Sequence, residues 1–425
     1  MELVDRRTQF DLSLFFSALA LWAIGVLLVF SATHIHTSGP LAHVTRNQIV
    51  WVLMGTVLIL LVVSIPTRIY YSFAYVIYGL SLALLVAVVF AGIVSKGAGR
   101  WIRIGGMRLQ PSEFAKIGLL MALARYFSHR SVSFHRPVSF LGPGALIAVP
   151  FVLVLKQPDL GTALVFCAMS LPMFYWAGLT LREVFLLAAP VISLVLSGIP
   201  LVYSYTHEST LGFAGAVPWG VFFVAVCLVL YFGRSTAFMW IVALVSNLFT
   251  ATIAQVLWSS LLKDYQKARI ITFINPQSDP SGAGYQVIQS KVAIGSGHVF
   301  GKGYLQGTQT RLSFLPEQHT DFIFSVLGEQ FGLVGCTVVL LLFLYLLARG
   351  YLSTQVIRNR FSNLLVVGSV SILAFHIFVN VAMTLGMMPV TGVPLPFLSY
   401  GGSFTITVAI LVGLMINVRA NRQDF

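Results

Sequence analysis

The sequence predicts an all-α polytopic integral membrane protein made of a single transmembrane domain, residues 1–425. Hydrophobic residues make up 57% of the chain and charged residues only 9%, and the mean hydropathy is +0.89. Soluble globular domains carry about 25% charged residues. An ordinary soluble protein is therefore excluded, and the apolar runs that recur along the chain predict membrane helices.

A membrane-spanning helix needs about 20 apolar residues, and about twelve runs meet or approach this length. Pro and Gly inside several of them are tolerated, because neighbouring helices satisfy the backbone groups that they free. In chain order, the predicted spans are Leu14–Phe30, Ile49–Ile65, Phe73–Val94, Phe114–Phe127, Leu141–Leu155, Thr162–Ala177, Val184–Tyr203, Trp219–Phe232, Phe238–Leu262, Phe322–Ala348, Leu364–Leu385 and Phe404–Asn417.

The three cysteines, Cys167, Cys227 and Cys336, all lie inside apolar runs. A thiol in such a run behaves as a small apolar group. Neither a disulfide framework nor a metal site is predicted from them. A cleavable signal peptide is not predicted either, because Glu2 to Asp11 is polar and a run of spanning length follows.

The distribution of cations predicts the orientation, because arginine and lysine in short loops stay on the cytoplasmic side. With both termini in the cytoplasm, every short polar linker has this bias, and all seven lysines lie outside or at the outer ends of spans. Longer loops translocate regardless of charge, which is one explanation of the outer set. The other is a surface that binds an anion, such as a lipid-linked phosphate. The net charge of +13 would also suit nucleic acid or anionic lipid headgroups, but no nucleic-acid motif is present.

One long polar segment, residues 263–321, interrupts the apolar runs and is predicted to be a large extracytoplasmic loop. Long loops with little regular structure are usually functional or disordered, and the apolar residues in this one argue against disorder. Asp279 lies before Pro280 in a stretch rich in Pro and Gly, which is typical of a turn. Asp279 is therefore a candidate catalytic carboxylate with a plain alternative as a turn residue.

A second polar group follows in Glu317, His319 and Asp321, close to the start of a span. Ionisable groups near the membrane are functional candidates. Thr320 or Asp321 could instead cap the helix that follows.

Three further polar segments lie on the predicted outer side. The first contains Arg100 and then Ser112, Glu113 and Lys116, where Ser112 is predicted as a helix N-cap. Glu113 and Lys116, three residues apart, share a helix face and predict an ion pair, although Lys116 and Arg100 could also meet a phosphate. The other two are residues 156–162, with Asp159, and residues 389–402, whose Ser399 and glycines form either an anion site or a re-entrant turn.

Together these segments resemble the signature blocks of the SEDS family, the shape, elongation, division and sporulation proteins. They occur in family order and cover nearly the whole chain. Residues 263–270 and 289–297 resemble the elongation members more than the division members. The blocks are Gly97-Ala98-Gly99-Arg100-Trp101, Gln110-Pro111-Ser112-Glu113, Gln157-Pro158-Asp159-Leu160-Gly161, Asp279-Pro280 through Tyr285-Gln286, Leu315–Phe324 and Pro389–Gly402.

The resemblance implies a SEDS-type helical bundle that acts as a peptidoglycan glycosyltransferase. Such a protein polymerises lipid II on the outer face of the bacterial cytoplasmic (inner) membrane, during cell elongation and rod-shape maintenance. The implied partners are lipid II, a class B penicillin-binding protein that supplies transpeptidation, and the elongation machinery. By match of motif, Asp279 stands at the family's essential acidic residue, Glu113 and Lys116 at its functional pair, and Asp159 at its motif carboxylate.

Glycan extension from a lipid-linked diphosphate needs a base for the acceptor hydroxyl and positive charge at the leaving group. The hypothesis is Asp279 as base, with Arg100, Lys116 and Lys291 on the diphosphate. His319 is a further candidate for substrate binding. No protein-bound metal site or other cofactor is predicted, and a divalent cation that shares the leaving-group charge is left open.

SEDS proteins usually have ten spans, so residues 204–262 predict a two-helix insertion. An even number of added spans leaves Asp279 on the outer side. The rival hypotheses are a lipid II flippase, a polymerase of the division type and a non-enzymatic scaffold. Polar residues inside a bundle also mark transport paths, but the middles of these spans hold almost no charge.

Overall fold

The computed structural model describes most of the chain. Lys263, Gly97 and Pro280, which the sequence motifs include, lie outside the described residues. The described ranges are 10–34, 40–91, 93–95, 98–104, 107–130, 132–133, 137–207, 213–262, 264–279, 282–312 and 314–421.

Most of the described chain is α-helical, as predicted. The helices are α1 (Leu12–Thr33), α2 (Val44–Ser64), α3 (Thr67–Ala91), α4 (Pro111–His129), α5 (Leu141–Lys156), α6 (Leu160–Trp176), α7 (Leu181–His207), α8 (Phe213–Phe232), α9 (Ala237–Val256), α10 (Asp264–Ile274), α11 (Ala283–Ser296), α12 (Thr308–Arg311), α13 (Ile323–Ser353), α14 (Arg360–Thr384) and α15 (Gly402–Ala420).

Ten of these helices are long and apolar enough to cross a membrane, within the part of the chain that the structure describes. Helices α4 and α6 are not among the ten. Helix α6 is apolar but has only 17 residues. The polytopic membrane fold is therefore confirmed, whereas the count of twelve spans stays a prediction. The same is true of the two-helix insertion at residues 204–262.

The bundle has a central part and a peripheral flank. In an apolar 18-residue window of each helix, 67% of the residues are buried in α14 and 78% in α15, against 17% in α5, α7 and α8. Helices α7, α8 and α9 pack mainly on one another, and α7 joins them to α6 and α10. The central helices therefore form the framework on which the outer segments rest.

Two opposite ends of the bundle can be recognised from α1, which is about 33 Å long at 1.5 Å per residue. At its start, the N-cap residue Asp11 contacts Arg349 of α13 and Arg419 of α15. At its last turn, Ala32 accepts a hydrogen bond from Gln318, 2.8 Å away. We call these the opposite end and the site end.

The predicted loop, residues 263–321, is more regular than expected, because it contains α10, α11 and α12. Their short lengths and polar composition gave no spanning signal in the sequence. Ahead of α4 lies a small antiparallel sheet in the order β1-β2-β3, formed by Ile93–Ser95, Ala98–Ile104 and Met107–Leu109. Where β2 pairs with β3, Arg103 lies opposite Arg108.

Helix α13 is broken near its start by Gly332, whose backbone angles are φ 62° and ψ −159°. Residues 298–303 lie alongside this break. The N–H groups of Lys302 and Gly303 donate to the carbonyls of Glu329 and Gln330, each at 3.0 Å. In return, the carbonyl of His298 accepts from Leu333 at 3.0 Å. A broken helix is tolerated at membrane depth when other protein groups satisfy its backbone in this way.

Candidate functional site

The Pro- and Gly-rich segment 389–402, between α14 and α15, lies at the centre of the site end. The Ser399 hydroxyl donates to the Thr320 carbonyl at 2.6 Å, and the Tyr400 N–H donates to the His319 carbonyl at 2.9 Å. The His319 ring lies 5.8 Å from the Tyr400 ring, centroid to centroid. His319 therefore belongs to the site region, half-buried beside segment 389–402.

Asn380 of α14 holds segment 389–402 against the chain at Asp321. It is fully buried, and its amide nitrogen donates to the Asp321 carbonyl at 2.9 Å and to the Val393 carbonyl at 2.8 Å. Helix α13 begins at Ile323 with Phe322 at its N-cap. The predicted capping by Thr320 or Asp321 is therefore wrong, because the chain at Thr320 and Asp321 is held by segment 389–402 and Asn380 instead.

Asp279 occupies a turn between a short 3-10 helix, Pro276–Ser278, and α11. Its Oδ1 accepts the N–H of Gly282 at 2.9 Å, and its carbonyl accepts the N–H of Tyr285 at 3.2 Å. A Cβ on Gly284 would lie 2.1 Å from the Pro276 carbonyl oxygen, so the turn requires glycine there. The turn role that the sequence offered for Asp279 is thus present, and it fixes the half-buried carboxylate at the start of α11.

Helix α11 is anchored deep in the bundle. The Ser290 hydroxyl lies 2.6 Å from both the Ser325 hydroxyl and the Thr384 carbonyl. One turn earlier, Val287 packs in a buried apolar cluster with residues from the neighbouring segments. The cluster consists of Val287, Leu315, Phe322, Met383 and Val390. The position of Asp279 therefore depends on α13, α14 and segment 389–402 together.

Lys291 lies on the exposed side of α11. Its side chain crosses over Gly386, where a Cβ would lie 2.1 Å from Lys291 Cε and 2.6 Å from Nζ. Gly386 has a φ of +69°, which glycine adopts without strain. Lys291 thus brings an exposed positive charge to the same helix that carries the Asp279 turn.

Arg100 and Asp159, from two segments that the sequence places on the same outer side, lie close together. Arg100 Nε donates to the Gln157 carbonyl at 2.9 Å, a second guanidinium nitrogen contacts the Pro158 carbonyl, and a third lies 3.9 Å from Asp159 Oδ1. Asp159 caps α6 by accepting the N–H of Thr162 at 3.2 Å. Arg100 therefore holds the loop before α6, and 26% of its side chain remains exposed.

Glu113 and Lys116 form the predicted ion pair on one face of α4, with 2.8 Å between Nζ and Oε1. The Lys116 side chain is 0% exposed. Its Nζ also lies 3.1 Å from Nε2 of His376 on α14. Helix α4 begins at Pro111 with Gln110 as its N-cap, so the predicted N-cap at Ser112 is wrong. Proline is favoured at the first helical position because its φ is already helical.

Segment 389–402 also joins these residues to the Asp279 side of the site. A Cβ on Gly161 would lie 2.8 Å from a methyl group of Val393, so α6 starts in close contact with the segment. The Gln110 N–H donates to the hydroxyl of Ser403, just beyond the segment, at 3.1 Å. The predicted site residues thus fall into two groups, one around Asp279, Lys291 and His319 and one around Arg100, Glu113, Lys116 and Asp159, with segment 389–402 between them.

Sequence reasoning missed Glu329, a fully buried carboxylate on α13. Its Oε1 accepts from Lys302 Nζ at 3.1 Å and from the Gln309 N–H at 2.8 Å. Its Oε2 accepts from the hydroxyl and the N–H of Thr310, at 2.8 and 3.1 Å. A carboxylate within an apolar run was the available signal, but its partners are too distant in the sequence to be recognised.

Among the described residues, no three His, Cys, Asp or Glu side chains converge as ligands for a metal ion. The divalent cation that the sequence leaves open stays an open prediction.

Comparison with known proteins identifies the family. The family model for cell cycle proteins of the FtsW, RodA and SpoVE type matches residues 12–211 and 218–424. The chain belongs to this family. The predicted SEDS resemblance is thereby confirmed over nearly the whole sequence.

Several relatives of the FtsW/RodA/SpoVE family are similar along their full length. The peptidoglycan glycosyltransferase MrdB of Escherichia coli K12 is 35% identical over 420 residues, covering 98% of this chain and 95% of the relative. The peptidoglycan glycosyltransferase RodA of Treponema pallidum is 36% identical over 428 residues, covering 98% of each. A probable peptidoglycan glycosyltransferase FtsW of Trichlorobacter lovleyi is 32% identical over 422 residues, covering 98% of this chain and 94% of the relative.

Solved structures agree with this family assignment. A chain from a study of polymerization and crosslinking by a peptidoglycan synthase complex matches with a TM-score of 0.68 and 30% identity, covering 97% of this chain and 98% of that one. The rod shape determining protein RodA of Thermus thermophilus matches with a TM-score of 0.61 and 25% identity over the same shares of the two chains. The predicted fold class is therefore confirmed by structure as well as by sequence.

Proposed function

We propose that this protein is a peptidoglycan glycosyltransferase that polymerises lipid II during cell elongation and rod-shape maintenance. The observation that carries the proposal is the meeting of the family's sequence blocks at one end of the bundle. Segment 389–402 contacts the chain at His319 and Thr320 and the start of α6. The higher identity to MrdB and RodA than to the FtsW relative supports the elongation role.

In the proposed reaction, the acceptor hydroxyl attacks the anomeric carbon of the donor sugar. A new glycosidic bond forms, the carbon–oxygen bond to the lipid diphosphate breaks, and the diphosphate leaves with the electron pair. Asp279 takes the proton of the attacking hydroxyl, a role worth about 10² to 10⁴ in rate. No general acid is needed, because the diphosphate is stable as an anion.

Positive charge near the leaving group stabilises it as it develops. Lys291 is the most accessible of the three proposed cations, since it is exposed on α11. Arg100 is partly exposed and holds the loop before α6. Lys116 is fully buried in its pair with Glu113, so we assign it to the shape and charge of the site rather than to direct contact with phosphate. Asp159 and His319 complete the set as residues that shape the substrate-binding region.

We further propose a class B penicillin-binding protein as the partner that crosslinks the new strands, together with the rest of the elongation machinery. The similarity to a chain from a peptidoglycan synthase complex supports this pairing. We place the protein in the bacterial cytoplasmic membrane with both termini inside. The site end then faces outward, where the lipid-linked donor and the growing strand lie.

The proposal is tested by mixing purified protein and its partner with labelled lipid II and separating the products by length. The parent is expected to produce glycan strands, and Asp279→Asn is expected to reduce the rate by about 10² to 10⁴. Glu183→Gln is the matched control, because Glu183 is a buried carboxylate that only caps α7 through Thr180. Absence of glycan with the parent, or full activity of Asp279→Asn, would contradict the proposal. Transfer of lipid II across vesicle membranes without glycan would favour the flippase instead.

A further inference from the structure

His376 is a buried histidine in α14 that the reaction scheme does not use. Its side chain is 2% exposed. Nε2 lies 3.1 Å from Lys116 Nζ, and Nδ1 lies 3.2 Å from the Pro394 carbonyl oxygen. The ring therefore bridges the buried ion pair of α4 and segment 389–402.

One protonation state satisfies both contacts of His376. A charged lysine has only donors, so Nε2 must accept from Lys116. A carbonyl oxygen has only lone pairs, so Nδ1 must carry the hydrogen that Pro394 accepts. The neutral imidazole with its hydrogen on Nδ1 meets both requirements. The contacts thus define the tautomer and the orientation of the ring.

The surroundings of His376 restrict its movement. The Phe404 ring lies 4.9 Å from the imidazole, centroid to centroid, and the same ring lies 5.5 Å from Lys116 Nζ. Lys116 is also held by Glu113 at 2.8 Å. A displacement of His376 would therefore disturb a buried charge that has few partners, which is costly in a protein interior.

Pro394 transmits the position of His376 to the site. It belongs to segment 389–402, whose Ser399 and Tyr400 hold Thr320 and His319. Hydrogen bonds and the short chain of the segment thus connect α4 to residues 319–320, whose neighbours Leu315 and Phe322 share a buried cluster with Val287 of α11. Misplacement of reacting groups by about 1 Å can cost about 10²-fold in rate, so a fixed segment matters for catalysis.

We propose that His376 is a positioning residue for glycan polymerisation, which couples the Glu113–Lys116 pair to segment 389–402. The inference rests on the proposed function. It concerns the turnover step rather than lipid II binding, because His376 lies beneath the segment and does not reach the surface.

Three substitutions separate the two halves of the bridge. His376→Leu removes both contacts at similar volume. His376→Gln places an amide oxygen near the position of Nε2 and keeps an acceptor for Lys116. His376→Asn places an amide nitrogen near the position of Nδ1 and keeps a donor to Pro394. Ser369→Ala is the matched control, since Ser369 is fully buried in the same helix and bonds only to the Leu365 carbonyl.

The measurements are kcat and KM for lipid II polymerisation, and amide hydrogen exchange of residues 389–402. His376→Leu is expected to lower kcat by roughly tenfold to a hundredfold, to leave KM within about twofold, and to speed exchange in the segment. His376→Gln and His376→Asn are expected to recover part of kcat, and Ser369→Ala to match the parent in both measurements.

Other outcomes would overturn the inference. His376→Leu with the parent's kcat, or Gln and Asn variants no faster than Leu, would show that the bridge does not position the site. A rate loss that merely follows the loss of folded protein would do the same. An inactive parent, or an active Asp279→Asn, would instead refute the proposed function, and the positioning role with it.

Discussion

Both ends of the helix bundle bury a carboxylate beside cations, but the two ends use the pair differently. At the opposite end, Asp11 joins Arg349 and Arg419, whose side chains are 33% and 29% exposed. At the site end, the Lys116 side chain beside Glu113 is 0% exposed. The first cluster ties helix ends together where water reaches them.

The site end contains another buried carboxylate, Glu329, which accepts hydrogen bonds from the backbone of Gln309 and Thr310. Its charge therefore holds the short helix α12 in place, and the Glu113–Lys116 pair contacts segment 389–402 through His376. The comparison shows that similar ion pairs join helix ends at one end of the bundle and hold the short connecting segments at the other. Substitutions at the two ends should separate these roles.

The largest effect is expected from Lys116→Met. It leaves the Glu113 carboxylate buried without its cation, and breaking a buried pair in this way costs about 3–5 kcal/mol. We expect a large fall in the apparent melting temperature in detergent and loss of polymerisation. The double variant Glu113→Gln/Lys116→Met should recover part of the stability, because no unpaired charge remains. A double variant less stable than Lys116→Met would contradict the interpretation.

A smaller effect is expected from Glu329→Gln. Hydrogen bonds to a charged group contribute about 1.5–3 kcal/mol, and glutamine keeps only some of the acceptors that hold residues 308–310. We expect faster amide exchange in residues 297–312 and a moderate fall in melting temperature. Glu183→Gln, which changes a buried carboxylate far from this segment, is the control. Equal rates of amide exchange in residues 297–312 of Glu329→Gln and Glu183→Gln would show that Glu329 does not hold these residues.

Two glycines of α11 give a matched pair with a smaller effect still. A Cβ on Gly284 would press on the Pro276 carbonyl, whereas a Cβ on Gly295 would meet nothing within 4 Å. Overpacking costs about 1–3 kcal/mol, and an added helical alanine gains up to about 1 kcal/mol. Gly284→Ala should therefore lower polymerisation by moving the Asp279 turn, while Gly295→Ala should keep it. A fully active Gly284→Ala would argue against a fixed turn.

The smallest effect is expected in the pH dependence of the opposite end. Burial raises the pKa of Asp11, but hydrogen bonds from Ser13 and the Leu14 N–H, with Arg419 and Arg349, outweigh it and hold the pKa below the usual 3.8. A lowered folded-state pKa stabilises the protein above the unfolded pKa, and that contribution disappears as the pH falls through the folded value.

The corresponding measurement is the melting temperature against pH for the parent and Asp11→Asn. The parent should be the more stable above about pH 4, and the difference should close as the pH falls further. A difference that is constant with pH would mean that the Asp11 charge is not involved.

The correct predictions from the sequence depended on residues that are close together in the chain. Glu113 and Lys116 are three residues apart on one helix, so their pairing follows from helix geometry. The apolar runs likewise predicted the positions of the long helices. The Asp-Pro and Gly pattern predicted a turn at Asp279, and the structure contains that turn.

Contacts between distant parts of the chain could not be predicted. His376 stands alone in an apolar run, and nothing in that run indicates that Lys116 is its partner. Glu329 and Gln309 are 20 residues apart in the chain and meet where residues 298–303 lie along the break in α13. The short helices α10 and α11 were predicted as loop, since a polar helix that packs on one side lacks the signal of a membrane span.

The comparison of Asp279→Asn with Asp11→Asn tests the central claim most directly. Both variants remove one carboxylate charge, one at each end of the bundle. The measurement is the polymerisation rate per folded molecule together with the melting temperature of each variant. We predict that Asp279→Asn loses about 10²-fold or more in rate and keeps its melting temperature, while Asp11→Asn loses stability and keeps its rate. A rate loss shared by both variants, or an Asp279→Asn that polymerises like the parent, would contradict the account.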